Sequence, residues 1–319
     1  MLSGNDALNF LALDINEEDP GESSHWKKYH SSFEFNGSSF NGLQGFGGLR
    51  KPRKGLFRAF ETFLQLKYRK ISEGDNFFYL DKMAATIALA QDRNYDLDFL
   101  RQTLTISFLR NRIPKLAKGM STVCVIGDGF GSMTSLLLAS NSASRIILVN
   151  LTKTLLVDLW YLKLWLGDDL FDRTVCLVTS REELKSALKK PIDCSANTCQ
   201  IIAIRAINHD LIRYCSVELA INIASMQEMN PSAISQYFTD LRMSTTINSL
   251  YFYCCNRQEK YLPDGTVTKF SDYPWSVHDQ FLVDELCPWH QEYYRFKPPF
   301  FKPYDGLIQH RLAILKKIN

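Results

Sequence analysis

The chain has 319 residues, of which 45% are hydrophobic and 22% charged. This is a globular composition, and the length fits one large domain with an extension or two smaller domains. The formal net charge of +3 gives no electrostatic reason to expect binding to nucleic acid or to an anionic membrane. No apolar window approaches the roughly 18 to 20 residues of a membrane-spanning helix, and the acidic N-terminal stretch is not typical of a signal peptide.

The cysteines favour an intracellular protein. They form no Cys-x-x-Cys pair, and no histidine pair lies near them at the spacing of zinc ligands. Several lie within apolar runs that are typical of strands. We therefore predict reduced thiols in the core, a cytoplasmic location and no metal site, with a disulfide or metal site as the less favoured alternative. The eight residues are Cys124, Cys176, Cys194, Cys199, Cys215, Cys254, Cys255 and Cys287.

The first 118 residues are predicted to form an N-terminal arm and a helical cap. Residues 1–55 are rich in Gly, Ser, Asn and Phe, which argues against regular helix and against full disorder. We expect this arm to dock onto the main body or onto a neighbouring subunit. From residue 56 apolar residues recur at three- and four-residue spacing, which predicts helices. The second spans residues 82–92, and the third spans Leu97–Arg112 before Pro114.

Residues 119–319 have the pattern of an α/β domain, in which short apolar strands alternate with helices. Fully apolar strands in this alternation predict a Rossmann-like fold, with a central, mostly parallel sheet and helices on both faces. The last strands are joined without a clear helix, which predicts an antiparallel pair at the end of the sheet. Predicted strands span residues 122–126, 145–150, 174–178, 200–203, 219–223, 249–255 and 311–316. Predicted helices span residues 132–139, 153–166, 181–188 and 231–243.

A glycine-rich turn follows the first of these strands. Gly127, Asp128, Gly129 and Gly131 lie between the apolar strand and a helix that opens at Ser132. Glycines allow a tight turn and let a ligand approach the backbone closely. Because the strand before and the helix after are both present, we predict a nucleotide-like ligand at this turn.

The glycine spacing and the end of the second strand favour one cofactor. The pattern Gly-x-Gly-x-Gly favours S-adenosylmethionine over NAD, and an NAD-dependent sugar enzyme is the alternative. Asn150 ends the second strand about twenty residues after the turn, where a ribose is expected. Its carbonyl oxygen can accept a hydrogen bond, but it lacks the charge of an acidic side chain. Ser180, after the third strand, is a further candidate cofactor-binding residue.

The ends of two later strands carry candidate substrate and catalytic residues. Gln227 and Glu228 follow the strand at residues 219–223, beyond whose carboxyl end a ligand should lie. Glu228 can act as a general base, orient a sugar or cap the next helix. With nearby acidic residues it is also a candidate Mg²⁺ ligand, although no compact acidic motif requires the ion. Asn256 and Arg257 directly follow the next buried strand, as a substrate-facing loop would.

Histidines and aromatic residues near the C-terminus are further candidates. An aromatic side chain beside hydrogen-bonding groups suits a sugar, whose C–H faces stack on rings, and it equally suits core packing. Trp289 is the candidate of this kind. His290 and then His278 are the best-placed histidines for removing a hydroxyl proton during methyl transfer.

These segments together resemble the sugar O-methyltransferase family of bacterial glycan and antibiotic-sugar gene contexts. The resemblance covers most of residues 120–310 and is most specific at residues 222–242 and 256–275. It implies a class I S-adenosylmethionine-dependent methyltransferase that acts on a sugar hydroxyl. A sugar-containing small molecule or glycan is then the partner, with a homodimer left open. The resembling stretches are VCVIGDGFGS, ILVNLTKTLL, INIASMQEMNPSAISQYFTDLR, YFYCCNRQEKYLPDGTVTKFSDYPW and CPWHQEYYRFKPPFFKPYDG.

Two positions depart from the pattern of that family. Its members usually carry an acidic residue where this chain has Val125, and aspartate where it has Asn150. Both changes weaken polar contacts to the cofactor. The alternative hypothesis is therefore a binding module that keeps the methyltransferase fold without turnover.

Overall fold

The computed structural model describes residues 1–16, 19, 21–44, 50–72, 74, 76–190, 200–244 and 249–317. Two 3-10 helices span Ala206–Tyr214 and Met226–Glu228. The helices of this part are α1 (Gly4–Leu13), α2 (Ser24–His30), α3 (Gly55–Arg69), α4 (Phe77–Ala90), α5 (Leu97–Arg112), α6 (Pro114–Lys118), α7 (Ser132–Ala139), α8 (Thr152–Leu166), α9 (Asp168–Thr174), α10 (Arg181–Lys189) and α11 (Pro231–Ser244). The strands are β1 (Leu2–Ser3), β2 (Glu34–Phe35), β3 (Phe40–Asn41), β4 (Met120–Ile126), β5 (Ala143–Asn150), β6 (Val175–Val178), β7 (Gln200–Arg205), β8 (Leu219–Ile223), β9 (Ser249–Arg257), β10 (Glu259–Tyr261), β11 (Val267–Lys269), β12 (Gln280–Leu286), β13 (Glu292–Tyr294), β14 (Phe301–Pro303) and β15 (Ile308–Lys316).

One nine-stranded sheet organises the molecule, in the order β1-β6-β7-β5-β4-β8-β9-β15-β12. The six strands from β4 to β9 are paired in parallel, and β15 runs antiparallel between β9 and β12. This confirms the predicted α/β fold, including the antiparallel end. From β4 the chain continues to β5, the neighbour of β4 on one side. After β7 it crosses to β8, the neighbour of β4 on the other side. The strand order therefore reverses at β4, and open α/β sheets bind ligands beyond such a reversal.

Both faces of the parallel part of the sheet are buried. Alternate residues of β4 enter different cores: Val123 and Val125 pack with α4, α5, α7 and α8, whereas Cys124 and Ile126 pack with α10 and α11. Because successive side chains of a strand point to opposite faces, a strand buried on both sides reads as a continuous apolar run. That is the pattern from which the sequence predicted these strands.

The N-terminal arm is part of the main body. β1 pairs antiparallel with β6, with Leu2 opposite Leu177, and α1 packs on α8. The expectation that residues 1–55 lack regular helix is wrong for α1 and α2. Ala7, Leu8 and Leu11 recur at helical spacing and are buried, so tertiary packing stabilises a helix that the composition obscures. The predicted domain boundary falls between α6 and β4 and stays a prediction.

Other differences from the sequence prediction have local causes. α4 begins at Phe77, before the predicted residue 82. The strand β12 was not predicted because nearly all of its side chains are exposed, which leaves no apolar alternation to detect. Within the described ranges, no helix combines the length and apolar character needed to cross a membrane. Six cysteines are buried and free, and Cys194 and Cys199 lie outside the described residues.

Truncation of a buried α1 side chain tests whether the arm belongs to the folded core. Leu11 is fully buried, whereas Leu13 of the same helix is 83% exposed. We expect Leu11→Ala to lower the free energy of unfolding by about 2–5 kcal/mol, and Leu13→Ala by less than about 0.5 kcal/mol. Urea unfolding followed by circular dichroism measures both. Equal effects of the two substitutions would mean that α1 does not pack as described.

Candidate functional site

The glycine turn lies at the carboxyl end of β4, at the reversal of strand order. Gly127 and Gly131 have φ angles of 72° and 61°, which side-chain-bearing residues rarely adopt. A Cβ at Gly127 would lie 2.0 Å from Ser225 Oγ, and one at Gly131 would lie 2.9 Å from the Asp158 carbonyl oxygen. A Cβ at Gly129 would meet nothing within 4 Å, so the backbone there borders open space.

The buried carboxylate of Asp158, in α8, anchors this turn. It accepts hydrogen bonds from the Gly131 backbone N–H at 3.0 Å, from the Gly129 backbone N–H and from Asn150 Nδ2 at 2.8 Å. Burial and then the nearby Asp128 carboxyl raise the pKa of Asp158 well above its usual value. One side chain thus links the glycine turn to the end of β5.

The Asp128 carboxylate caps the helix that follows the turn. Its two carboxylate oxygens accept from the backbone N–H groups of Met133 at 2.9 Å and Thr134 at 2.7 Å. They therefore satisfy two of the free N–H groups that begin α7. Burial raises the pKa of the Asp128 carboxyl. Asp128, which the sequence proposed as a cofactor-binding residue, lines a cavity, but its side chain is engaged with the helix.

Two cavities meet at the turn, with volumes of about 270 and 330 Å³. The first, cavity 1, extends over the ends of β5 and β7 towards α11. The second, cavity 2, extends towards α5 and the loop after β12. Five residues line both cavities: Trp26, Gly127, Asn150, Ser225 and Glu228.

Backbone strain marks the boundary between the cavities. Ala224 follows β8, lines cavity 2 and has a φ of 57°, which is uncommon for a residue with a Cβ. Its N–H donates to the Cys255 carbonyl oxygen at 2.8 Å. Such conformations cluster at ligand-binding sites. The strain therefore coincides with the junction at which the chain bends towards Glu228.

Glu228 and His25 form a buried pair at the junction. His25 Nε2 lies 3.4 Å from Glu228 Oε1, and the two side chains are only 8% and 13% exposed. Burial raises the pKa of Glu228 to about 7. Burial, together with Lys260 and Lys28, lowers the pKa of His25 to about 4. At neutral pH His25 is therefore neutral, and Glu228 exchanges its proton in the physiological range.

Other predicted residues near this junction are held by hydrogen bonds. Asn150 has both of its polar atoms engaged, since Oδ1 accepts from the Leu151 N–H at 3.0 Å while Nδ2 bonds Asp158. Gln227 Oε1 accepts from the Arg257 N–H at 2.8 Å, and the Gln227 N–H donates to Asn256 Oδ1 at 3.0 Å. Arg257 lines cavity 2, whereas Gln227 and Asn256 stabilise the loops behind it.

Of the remaining predicted site residues, one lines a cavity and three do not. His290 lines cavity 2, and burial lowers its pKa well below the usual value, so it is a poor proton acceptor at neutral pH. His278 lies in an exposed turn before β12. Ser180 caps α10 by accepting from the Glu183 N–H at 3.3 Å, and Trp289 is buried with Nε1 donating to Thr105 Oγ1 at 3.3 Å. None of these last three residues lines either cavity.

Sequence reasoning missed several cavity residues. Asp19 lines cavity 1 and accepts from both the N–H and the hydroxyl of Thr152, at 2.7 and 2.9 Å. Arg93 and Asp96 line cavity 2. Burial lowers the pKa of Arg93 and raises that of Asp96 to about 6. The one local signal was Asp96, an N-cap residue immediately before α5.

No family model matches the sequence, and no curated protein matches it. Among solved structures, the chain is similar to an S-adenosylmethionine-dependent methyltransferase of Leishmania major, with 13% identity, a TM-score of 0.35, and coverage of 76% of this chain and 82% of that one. It is similar to TrmK of M. capricolum, in complex with S-adenosylhomocysteine, with 10% identity, a TM-score of 0.34, and coverage of 65% and 67%. It is also similar to the methyltransferase domain of bacterial CtHen1, with 14% identity, a TM-score of 0.36, and coverage of 69% and 100%.

The shifted pKa values of Glu228 and His25 predict opposite pH dependences of stability. Between pH 4.5 and 7 the folded chain keeps a proton on Glu228 that the unfolded chain loses, so this group lowers stability as pH rises. Between pH 4 and 6.5 the unfolded chain carries a proton on His25 that the folded chain lacks, so this group raises stability as pH rises. In the unsubstituted protein the two slopes offset each other.

Single substitutions separate the two slopes. Relative to the unsubstituted protein, Glu228→Gln should gain stability as pH rises from 4.5 to 6.5, and His25→Gln should lose it, over the interval that the two pKa shifts share. Each effect should amount to about 1 kcal/mol per pH unit. Urea unfolding at a series of pH values within that interval measures them. Parallel profiles for the two variants would contradict the assigned pKa shifts.

Proposed function

We propose that the chain is an S-adenosylmethionine-dependent methyltransferase that methylates a hydroxyl of a sugar-containing small molecule or glycan. The observation that carries this proposal is the pair of cavities meeting at the glycine turn. S-adenosylmethionine consists of a nucleoside and a zwitterionic amino acid joined at a sulfonium. A suitable site therefore needs an apolar compartment with ribose acceptors, and a second compartment with charges of both signs.

Cavity 1 fits the nucleoside. Its apolar wall includes Leu151, Ile207 and Tyr237, which suit an adenine ring. Asp19 lines the same cavity and supplies the carboxylate that Asn150 lacks. Each oxygen of an ionised carboxylate has two acceptor sites, so after the bonds from Thr152 it can still accept ribose hydroxyls. We infer that Asp19, from the N-terminal arm, compensates for the asparagine at the end of β5.

Cavity 2 fits the amino acid. Asp96 offers a carboxylate for an ammonium group, and Arg93 offers a guanidinium for a carboxylate. Arg93 is held over the Phe130 ring at 4.0 Å and donates to Ser132 Oγ at 3.2 Å. Gly129 also lines this cavity, and its bare backbone borders open space that a ligand can occupy. The residues present thus fit both halves of the cofactor.

Glu228 is the group best suited to take the proton of the acceptor hydroxyl. When bound, S-adenosylmethionine supplies an activated methyl group on a sulfonium sulfur. Glu228 lines both cavities, and a base with a pKa of about 7 is well matched to proton abstraction at neutral pH. His25, neutral at that pH, lies 3.4 Å from the carboxylate. We assign His25 as a positioning residue.

Spare polar groups in cavity 2 support a hydroxyl-rich acceptor. Gln102 lines this cavity, and its buried Oε1 has no hydrogen-bond partner among the described residues. Arg257 and Tyr304 line the same cavity. The Arg257 guanidinium can donate to a hydroxyl, and the Tyr304 hydroxyl, which accepts from Arg101, can still donate to one. A sugar presents several hydroxyls to such a set.

The buried free thiols of the described residues support the predicted cytoplasmic location.

Methyl transfer from labelled S-adenosylmethionine tests the proposal, with nucleotide sugars and cell glycan extracts as acceptors. We expect label in a sugar hydroxyl, and a rate that rises with pH through about 7 as Glu228 ionises. Glu228→Gln should lower kcat by about 10²–10⁴-fold and abolish this pH dependence. The exposed Glu259→Gln is the matched control and should behave as the unsubstituted protein.

Three results would contradict parts of this proposal. Cofactor binding without transfer to any acceptor would favour the binding module without turnover. Transfer to an acceptor without a sugar would refute the sugar assignment alone. Full activity of Glu228→Gln would show that another group, or water, accepts the proton.

A further inference from the structure

Two buried thiols and a buried imidazole converge at the wall of cavity 2, which His290 lines. Cys255 lies in β9, Cys287 follows β12, and His290 comes three residues later. His290 Nδ1 is 3.4 Å from Cys287 Sγ and 3.5 Å from Cys255 Sγ. The exposed fractions of the three residues are 1%, 0% and 6%. The three donor atoms all lie within 4.8 Å of one another.

The backbone fixes this arrangement. The His290 N–H donates to the Cys287 carbonyl oxygen at 3.1 Å, which closes a tight turn and holds both side chains together. The Cys287 N–H donates to the Ile308 carbonyl oxygen at 2.9 Å, which ties the turn to β15, the neighbour of β9. Arg101 Nε donates to the Trp289 carbonyl oxygen at 3.0 Å. The donor atoms are therefore held in place before any ligand binds.

The spacing of the donor atoms matches a tetrahedral metal site. With zinc–sulfur bonds of about 2.3 Å and zinc–nitrogen bonds of about 2.0–2.1 Å, tetrahedral angles separate a sulfur from a nitrogen by roughly 3.5–3.6 Å. The two separations measured here are 3.4 and 3.5 Å. We propose that Cys255, Cys287 and His290 bind a Zn²⁺ ion.

The donor set selects the kind of metal. Thiolate and imidazole ligands favour zinc and related transition metals, whereas Mg²⁺ prefers carboxylate and water oxygens. Zinc binding replaces the two thiol protons, which pass to solvent, and involves no redox change. Three protein ligands leave a fourth position for water, as in catalytic zinc sites. This site is distinct from the candidate Mg²⁺ site considered at Glu228, because Glu228 does not belong to the cluster.

The zinc proposal is independent of methyl transfer, and metal content tests it directly. Protein produced in zinc-supplemented medium should retain about one equivalent of zinc after gel filtration. Replacement by Co²⁺ should give thiolate-to-cobalt charge-transfer bands and the visible bands of a four-coordinate site. These two measurements use the unsubstituted protein, so they do not depend on whether a variant folds.

Variants locate the bound metal. Cys255→Ser, Cys287→Ser and His290→Ala should each lose at least half of the metal and alter the cobalt spectrum. Cys254→Ser is the matched control, because Cys254 is the adjacent buried thiol of β9 and packs in the core on the other face of the sheet. It should retain the full equivalent. Unsubstituted protein without zinc and without a cobalt spectrum, or cluster variants that keep the full equivalent, would overturn the proposal.

Discussion

The candidate site depends on one interaction, the binding of the glycine turn by the buried carboxylate of Asp158. Backbone N–H groups that are buried in a tight turn need hydrogen-bond acceptors. Asp158 accepts from the Gly131 and Gly129 N–H groups and from Asn150 Nδ2. The turn, β5 and α8 are therefore fixed relative to one another. The cavities meet at this turn, and their shape follows from that arrangement.

The N-terminal arm completes the site that the sheet begins. Asp19 binds Thr152 at the start of α8, and the Ser23 hydroxyl donates to the Glu228 carbonyl oxygen. Trp26 lines both cavities. The arm thus covers part of the carboxyl edge of the sheet. Burial of Glu228 beneath α2 is the reason for its raised pKa, so the arm also determines the chemistry at the junction.

The sequence predicted the sheet well because its strands are buried on both faces. Uninterrupted apolar runs such as β4 and β5 have few alternative structures, whereas the exposed β12 gave no such pattern. The site was predicted in part, by the rule that ligands bind beyond strand ends. That rule identified Gly127, Asn150 and Glu228. It also selected Ser180, which lines neither cavity because the α10 N-terminus uses its hydroxyl.

The missed residues share a physical cause. Asp19 and His25 belong to an arm whose position depends on contacts with α8 and the 3-10 helix at Met226–Glu228, which lie far away in the chain. Cys255, which the sequence did not single out, meets the predicted His290 because β15 pairs with both β9 and β12 and so brings the loop after β12 close to β9. No local spacing encodes such contacts. Cys287 and His290 are three residues apart, which is compatible with two ligands of one metal ion. The third proposed ligand, Cys255, lies far away in the chain, so the sequence alone did not indicate the site.

The central claim is that the glycine turn separates the two halves of a bound S-adenosylmethionine, and calorimetric titration with S-adenosylhomocysteine tests it most directly. The unsubstituted protein should bind one equivalent. Gly127→Ala should abolish binding, because the added Cβ would lie 2.0 Å from Ser225 Oγ. Gly265→Ala should retain binding, because Gly265 has a similar φ of 87° with nothing within 4 Å of the added atom. Absence of binding to the unsubstituted protein, or equal binding by Gly127→Ala, would contradict the account.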